Sequence, residues 1–400
     1  MRSPIPRAIV CSVLAGSVCL AGAFDITAKR GVILDDATGK VLWEKDADTP
    51  AFPASTTKIM TAMLLIERAK PDEIIVAPPD TEEVTGSSMH LRPGERVRAR
   101  DLLSAILLRS ANDGAHAVAV HLAGSDLEFA KLMNERAKAI GCTHTHFHNP
   151  HGLNDDEHTV SARDLGLIAR EAMKYPAFRE VVSHRAVTIE RSMNLEDRVM
   201  VSRNKALRQD PTIDGIKTGY TVPAGHCFVG SATRGGRRVI TVILDSADWQ
   251  EDNRQMLDWA FAQTELREVA GPGTTVGRVA VVGGNTATVA AAPQHPVVHA
   301  EAKGSLQPAS IRLLPRNELR APIRKGDLLG QAEFRDADGF IQHVPIVAAE
   351  DLKRRPWLQA LAANVGPFAP WMAFAGVAGY AVRRRRTVRR SKSRRSQHAR

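Results

Sequence analysis

The segment PASTTKIM places Ser55 three residues before Lys58, at the start of a run of apolar residues. A serine hydroxyl is a poor nucleophile and needs a base within hydrogen-bond reach. Residues three apart share one face of a helix, so Lys58 would lie beside Ser55. A lysine that is shielded from water beside other cations can lose its proton and act as that base. The segment therefore predicts an activated serine at the beginning of a helix, where free N–H groups also favour an oxyanion.

This spacing alone is weak evidence, because Ser202 and Lys205 repeat it later in the chain. The second copy is not followed by an amphipathic helix. The first copy is followed by an apolar helical stripe that begins at Ile59. We therefore interpret the later copy as a coincidence and the Ser55 copy as the candidate site.

Two further segments carry side chains of suitable chemistry. RSANDG places Ser110 and Asn112 in a polar turn between two apolar helices, where a hydroxyl and an amide can enter a cleft. DGIKTGYT places Lys217, Thr218 and Gly219 at the start of a predicted strand, with the first two on opposite faces. The glycine leaves the backbone open to close approach by another segment. Each segment alone is also compatible with an ordinary loop or edge strand.

The three motifs S-x-x-K, S-x-N and K-T-G occur here in the order found in penicillin-binding proteins and related β-lactamases. The flanking segments PASTTKIMTAM, LLRSANDGA, HNPHGLNDDEHTVSARDL and DGIKTGYTVPAGHCFVGSATRGGRRVI resemble the low-molecular-mass penicillin-binding proteins, which form the serine-type D-alanyl-D-alanine carboxypeptidase family. This resemblance covers residues 25–261. The later segment LRAPIRKGDLLGQAEF resembles the C-terminal β domain of the same family.

The resemblance implies a role for each matching residue. Ser55 would attack the carbonyl of D-Ala-D-Ala and become acylated, and Lys58 would accept its proton. Ser110 and Asn112 would shuttle protons and hold the substrate amide. Backbone N–H groups of Ser55 and Tyr220 would form the oxyanion hole, and β-lactams would trap the acyl stage. The resemblance implies neither a metal nor a cofactor. The substrate-binding residues that it implies are Lys217, Thr218, Gly219 and Tyr220.

The order of the elements predicts an α/β (α+β) fold. GVILDD and VLWEK form an early hairpin, several helices follow, and HCFVGSAT and RRVITVIL form a late hairpin. We expect an antiparallel sheet flanked by helices, as in penicillin-binding proteins and β-lactamases, and then a small β-rich domain. The predicted segments are a signal peptide (1–23), a serine DD-peptidase domain (24–268), a small β domain (271–350), a membrane-anchor segment (357–382) and a basic tail (383–400).

The two ends of the chain predict export and attachment to a membrane. Residues 1–23 combine a basic start, an apolar run and a small-residue cleavage site. Residues 357–382 contain no charged side chain and are long enough to span a bilayer, although Pro367 and Pro370 also allow a helix at the membrane surface. We therefore expect the protein to lie at the periplasmic face of the cytoplasmic membrane.

The positive net charge does not indicate a nucleic-acid partner. The chain carries a formal charge of +10, and residues 383–400 contain ten of the basic side chains and no acidic one. The rest of the chain has 44 basic and 44 acidic residues, so the exported body has no excess of positive charge to follow phosphates. The expected partners are peptidoglycan stem peptides and, through the C-terminal segment, the membrane.

Several rival interpretations remain open at this stage. ERSMN, beginning at Glu190, has the spacing of a β-lactamase deacylation motif but follows a predicted strand. HTHFHNPH contains four histidines, and because alternate residues share a strand face, three of them could bind one zinc. No Cys, Asp or Glu stands beside them in the sequence, and we favour a pH-sensitive or merely polar strand. A DD-endopeptidase and an inactive, membrane-tethered wall-binding scaffold are the remaining alternatives. The four histidines are His144, His146, His148 and His151.

One position departs from the family pattern. An arginine that helps to bind the substrate carboxylate commonly stands ten residues before an aromatic in the last helix, and that position here is Trp249. Indole offers one N–H and no charge. Three accounts are open: Arg254 replaces it, Lys217 and Thr218 suffice, or the site favours cross-linked peptides. We favour the second account.

Overall fold

The computed structural model of the chain describes residues 24–305 and 310–356. The predicted signal peptide, membrane-anchor segment and basic tail lie outside these residues. In the described ranges, no helix combines the length and apolar character needed to cross a membrane. The chain divides into two compact units, one comprising residues 24–268 and 298–305 and the other residues 269–297 and 310–356.

The described residues form sixteen strands and seven α-helices. The strands are β1 Arg30–Asp35, β2 Val41–Lys45, β3 Ile74–Val76, β4 Arg96–Arg98, β5 Ala186–Thr188, β6 Val199–Val201, β7 Ile213–Thr221, β8 Gly225–Arg234, β9 Arg237–Ser246, β10 Thr264–Ala270, β11 Gly277–Ala280, β12 Thr288–Pro293, β13 Val297–Ala302, β14 Ser310–Pro315, β15 Leu328–Arg335 and β16 Ile341–Ala348. The helices are α1 Lys58–Arg68, α2 Ala99–Ser104, α3 Asn112–Ala123, α4 Asp126–Ile140, α5 Ala162–Ala172, α6 Pro176–Ser183 and α7 Trp249–Gln263.

The first unit is built on a five-stranded antiparallel sheet in the order β2-β1-β9-β8-β7. In β1, Val32 and Leu34 join the core cluster that contains α1 and α5, whereas Ile33 joins the cluster that contains α7. Apolar side chains on both faces explain why this strand has a continuous apolar sequence. The predicted pairing of the early hairpin with the late strands, with helices on both sides of the sheet, is confirmed.

Serine side chains cap two helices of the first unit. The hydroxyls of Ser125 and Ser161 accept hydrogen bonds from backbone N–H groups in the first turns of α4 and α5. α5 ends at Ala172, and Pro176 is the first residue of α6, a position where proline loses no intrahelical hydrogen bond. The last helix begins at Trp249, and the side chain of Asp248 caps it.

The second unit is a β-rich body with a core of its own. Its sheet has the order β11-β12-β16-β15-β14, and its buried residues include Val289, Leu329 and Phe334. A small β domain after the first unit is therefore confirmed as a class of structure. Residues 298–305, which the sequence interpretation placed in that domain, group with the first unit, where β13 pairs with β10.

Candidate active site

Ser55 lies in a single 3₁₀ turn, Ala54–Thr57, that leads directly into α1. The preceding residue, Ala54, is buried with a φ of 48°, a left-handed conformation that is rare for a residue with a side chain. Strain of this kind persists only where the surroundings impose it. Here the Ala54 carbonyl accepts a hydrogen bond of 2.9 Å from the Thr57 hydroxyl. The turn leaves Ser55 half-buried.

Lys58 Nζ has three hydrogen-bond partners in the described structure. They are Ser55 Oγ at 3.0 Å, Asn112 Oδ1 at 2.6 Å and the backbone carbonyl of His151 at 2.6 Å. Because Asn112 Nδ2 donates to the Thr85 carbonyl at 2.7 Å, the amide oxygen is the atom turned towards Lys58. Two partners are thus pure acceptors. A neutral amine has two N–H groups for them and one lone pair left for the Ser55 hydroxyl, which is the arrangement that a general base needs.

The surroundings of Lys58 favour that neutral form. The side chain is completely buried, and burial is the largest cause that holds the pKa of Lys58 well below its usual value of 10.5. The positive charges of Lys217 and Arg203 lower it further, and the nearby Asp113 carboxylate acts in the opposite direction.

Ser110 and Asn112 are brought to the site by an unusual helix junction. α2 continues into a π-helical turn, Ala105–Arg109, and Ser110 ends it with a left-handed φ of 67°. Asn112 is the first residue of α3, so the polar turn is shorter than the sequence suggested. Both residues are buried. Asn112 contacts Lys58, whereas no hydrogen bond in the described residues joins the Ser110 hydroxyl to either lysine. Its role as a proton shuttle stays a prediction.

β7 passes close to Ser55 at Gly219. A β-carbon placed there would lie 3.0 Å from the Pro53 carbonyl oxygen and 3.0 Å from Ser55 N. Only glycine allows the strand this close to the 3₁₀ turn. The neighbouring side chains follow the strand alternation, because Lys217 is buried, Thr218 is half-buried and Tyr220 is 58% exposed.

Lys217 is the second buried lysine of the site. Its Nζ donates to the carbonyl of Thr218 at 2.9 Å. Burial and the charge of Arg203 lower the pKa of Lys217 to about 7. An ammonium with this pKa is charged for part of the time at neutral pH, and an incoming carboxylate would stabilise the charged form.

Arg203 is a residue that sequence reasoning missed. Its backbone N–H donates to the Leu108 carbonyl at 3.1 Å, which ties it to the helix that ends at Ser110. Its charge acts on both lysines. Within residues 24–305 and 310–356, Arg203 forms no ion pair. The available signal was its place next to Ser202 in the segment SRNK, which was dismissed with the second S-x-x-K copy.

That second copy does not form a comparable site. Lys205 is exposed and opens a short 3₁₀ turn, in contrast to the fully buried Lys58. The Ser202 hydroxyl accepts a hydrogen bond from Asn204 N.

Trp249 stands at the position where the family commonly has an arginine, and its ring packs against another aromatic side chain. Trp249 stacks on buried Phe228 with ring centres 4.4 Å apart. Arg254 is 61% exposed, and its guanidinium binds Glu251 at 2.9 Å and Asp258 at 3.0 Å on its own helix. The account in which Arg254 replaces the missing arginine therefore loses its basis, and Arg203 is the better candidate.

The structure also shows where the Glu190 motif and the four histidines lie. Glu190 lies just after β5, in the loop that leads to β6; its side chain is 71% exposed and forms an ion pair with Arg98. Of the four histidines, His151 contributes its carbonyl to Lys58. His148 contacts Asp155 and Glu157, two carboxylates that the sequence does not place beside it, because the loop folds back on itself.

These three side chains, one histidine and two carboxylates, form the only group in the described part of the chain whose ligand atoms could surround a metal ion. Each ring nitrogen of His148 faces a different carboxylate. Nε2 lies 3.7 Å from Asp155 Oδ2 and Nδ1 lies 3.4 Å from Glu157 Oε2, which are ion-pair distances. The absence of a metal from the reaction stays a prediction.

Comparison with known proteins agrees with the geometry. Residues 18–248 match the family Peptidase S11, described as D-alanyl-D-alanine carboxypeptidase, and residues 265–354 match the C-terminal domain of penicillin-binding protein 5. The chain belongs to the Peptidase S11 family and is a serine-type hydrolase of the D-alanyl-D-alanine carboxypeptidase class.

Individual relatives cover most of both chains. The D-alanyl-D-alanine carboxypeptidase DacF of Bacillus subtilis is 32% identical over 351 residues, covering 85% of this chain and 89% of the relative. The crystal structure of penicillin binding protein 5 from Haemophilus influenzae has a TM-score of 0.69 and 25% identity, covering 83% and 99% of the two chains. PBP3 from Streptococcus pneumoniae, a peptidoglycan synthesis regulatory factor, has a TM-score of 0.72 and 26% identity, covering 82% and 100%.

Proposed function

We propose that this chain removes the terminal D-alanine from peptidoglycan stem peptides through an acyl-enzyme formed on Ser55. The observation that carries the proposal is the environment of Lys58 Nζ. Two of its partners, the Asn112 amide oxygen and the His151 carbonyl, only accept hydrogen bonds, and the third partner is the Ser55 hydroxyl. Membership of a family of D-alanyl-D-alanine carboxypeptidases supports the choice of substrate.

In the first half of the reaction, Ser55 Oγ attacks the carbonyl carbon between the two D-alanines and its proton passes to Lys58 Nζ. The N–H groups of Ser55 and Tyr220 would stabilise the oxyanion, since β7 lies against the 3₁₀ turn at Gly219. The tetrahedral intermediate collapses when the C–N bond breaks. The leaving amine takes the proton back, and D-alanine departs.

In the second half, water attacks the ester carbonyl and gives up a proton through the same basic group. The Ser55 oxygen leaves, is reprotonated, and the shortened peptide is released. A β-lactam would acylate Ser55 by the same first step, but the ring-opened product keeps its leaving group attached, so the acyl-enzyme persists. Penicillin sensitivity is therefore part of the proposal.

The terminal carboxylate of the peptide would be bound by the positive side chains around β7. Lys217 and Thr218 are the predicted contacts, and Arg203 adds a charge without an ion-pair partner in the described residues. An ionised group held by guanidinium and ammonium donors is bound more strongly than a neutral one. Fixing the carboxylate would place the scissile carbonyl beside Ser55.

We further propose that the protein is exported and acts on the periplasmic side of the cytoplasmic membrane. The basic and apolar character of residues 1–23 and the uncharged run at 357–382 support this proposal. Both segments lie outside the described residues.

A fluorescent penicillin tests the proposal. Ser55→Ala should abolish covalent labelling while the melting temperature stays near that of the wild type, and the matched variant Ser202→Ala should label normally. Loss of labelling in Ser202→Ala alone would place the nucleophile in the other S-x-x-K segment. A wild-type chain that takes no label would support the inactive scaffold.

Digestion of purified muropeptides then separates two active alternatives. A carboxypeptidase releases D-alanine from uncross-linked pentapeptides, and a DD-endopeptidase splits cross-linked dimers. We expect faster turnover of the pentapeptide. Preferential splitting of dimers would change the assignment to the endopeptidase.

A further inference from the structure

A row of ionisable side chains leads from α3 and α4 towards the site. His116, on α3, is 8% exposed. Its Nδ1 lies 2.8 Å from Asp126 Oδ1 at the start of α4, and its Nε2 lies 3.1 Å from Asp80 Oδ1. A ring with carboxylates at both nitrogens donates two hydrogen bonds, as imidazolium does. The hydrogen bond with Asp126 is the largest cause that raises the pKa of His116 to about 9.

The row continues from Asp126 to His151. The second carboxylate oxygen of Asp126 lies 3.8 Å from His151 Nε2, close enough for attraction although too long for a hydrogen bond. His151 Nδ1 accepts a hydrogen bond from Leu153 N at 3.2 Å. Burial lowers the pKa of His151 to about 3, so its ring is neutral and carries its proton on Nε2. That N–H faces the Asp126 carboxylate.

The backbone carbonyl of the same residue, His151, accepts the 2.6 Å hydrogen bond from Lys58 Nζ. The ring and the carbonyl belong to one residue of a loop, so a force on the ring is transmitted to the atom that faces the base. Neither His116 nor Asp126 touches Ser55 or Lys58 in the described structure, and neither belongs to the three motifs.

We infer that His116 and Asp126 are positioning residues that hold the His151 carbonyl on Lys58 Nζ. The inference rests on the proposed role of Lys58 as the base for Ser55. With the carbonyl in place, one N–H of the neutral amine is occupied and the lone pair stays directed at the serine hydroxyl. If the loop shifts, the amine can rotate, and a displacement of about 1 Å in a reacting group can cost up to about a hundredfold in rate.

The charge balance shows why the row is sensitive. Removing the His116 charge leaves Asp80 and Asp126 facing each other without a cation, and an unpaired charge in a partly buried site is costly. Asp126 retains the favourable field of the α4 N-terminus. We therefore expect Asp126→Asn to destabilise the fold less than His116→Gln, although both variants affect the position of the same His151 loop.

The test measures acylation of the full-length chain by a chromogenic β-lactam over a range of concentrations. His116→Gln and Asp126→Asn should each lower the limiting acylation rate constant about tenfold or more, with the dissociation constant of the pre-covalent complex unchanged within twofold. The double variant should be little slower than the worse single variant, because both changes act through one loop. His121→Gln is the control, since His121 lies on the same helix and pairs with Glu73 at the surface. It should acylate normally.

Acylation at the wild-type rate in Asp126→Asn, or in a folded His116→Gln, would overturn the inference, even if the melting temperature fell. A weaker pre-covalent complex with an unchanged rate constant would also overturn it, because a positioning role for the base affects the chemical step. A wild-type chain that is not acylated at all would overturn the proposed function instead.

Discussion

At the scale of single residues, the site has more positive than negative side chains, and two of its cationic side chains are buried. Lys58 and Lys217 are fully buried, and Arg203 acts on both. The nearby carboxylate of Asp113 is already occupied by the Ser88 hydroxyl and by the backbone N–H groups of Met89 and Leu91. Cations that lack counter-charges either lose a proton or attract an anion. Lys58 fits the first outcome and Lys217 the second.

The pH profile of hydrolysis should therefore be bell-shaped for a peptide with a free carboxylate. kcat/KM should rise with pH as Lys58 loses its proton and becomes a base. It should fall above about pH 7, where Lys217 loses the charge that binds the carboxylate. Because a bound carboxylate stabilises the Lys217 ammonium, the falling limb of kcat should lie at higher pH than that of kcat/KM.

Lys217→Arg is the control for this profile. Arginine stays protonated throughout the range, so the falling limb of kcat/KM should disappear even if the overall activity drops. A fall that persists at the same pH in Lys217→Arg would show that another group is responsible.

Arg203 should matter for binding more than for chemistry. We expect Arg203→Ala to raise KM for a D-Ala-D-Ala peptide about tenfold, the value of one charge-assisted hydrogen bond. Because Arg203 also lowers the pKa of both lysines, each variant should be compared at its own pH optimum. A peptide with an amidated C-terminus should show no such difference between variant and wild type.

Arg254→Ala is the matched arginine control and should change KM less than twofold, because Arg254 is held by Glu251 and Asp258 on its own helix. A large loss in this variant with an unchanged Arg203→Ala would make Arg254 the carboxylate ligand.

The Ser55–Lys58 contact was predictable because residues three apart share one face of a helix, and Gly219 was expected to allow close approach by another segment. The Asn112–Lys58 contact was not predicted, because it joins residues 54 apart in the chain. Arg203 and His151 were not predictable in the same way. Arg203 belongs to a loop whose position depends on pairing with a distant helix end. His151 contributes a backbone carbonyl, which every residue type has, so its side chain gave no indication of this contact.

At the scale of elements, the approach of β7 to the 3₁₀ turn is a tight constraint. Gly219→Ala would place a β-carbon 3.0–3.1 Å from three backbone atoms of residues 53–56, and backbone cannot move aside as a flexible side chain can. The strand should retreat from Ser55, and acylation by penicillin should slow tenfold to a hundredfold. Stopped-flow labelling measures this.

Gly273→Ala is the control for that change, since a β-carbon there would contact nothing within 4 Å. It should label at the wild-type rate. Equal rates in both variants would mean that β7 has room to spare beside the nucleophile.

The sheet and most helices were predictable because apolar period and capping residues agree with the fold. Ser125 and Ser161 mark helix starts that the structure retains. The junction before Ser110 was not predictable, because a π-helical turn and a left-handed serine have no distinct apolar pattern. α6 was missed because a proline can begin a helix as well as follow one.

At the scale of the whole molecule, the proposed catalytic residues all lie in the first unit. A chain ending at residue 356 would lack the proposed anchor and the arginine-rich tail. We expect it to remain in the soluble fraction and to take up penicillin at the wild-type rate. A shortened chain that stays with membranes after a salt wash would locate the anchor elsewhere.

The return of the chain at Val298 has a consequence for how the two units can be separated. β13 comes after much of the second unit in sequence, yet it pairs with β10 and groups with the first unit. A cut after Glu268 would remove β13 and leave an open strand edge, which offers unpaired N–H and C=O groups to neighbouring molecules and promotes aggregation. The serine hydrolase unit is therefore discontinuous in sequence. A protease that trimmed away the β-rich unit from its C-terminal side would, on reaching residue 302, begin to dismantle the catalytic unit as well.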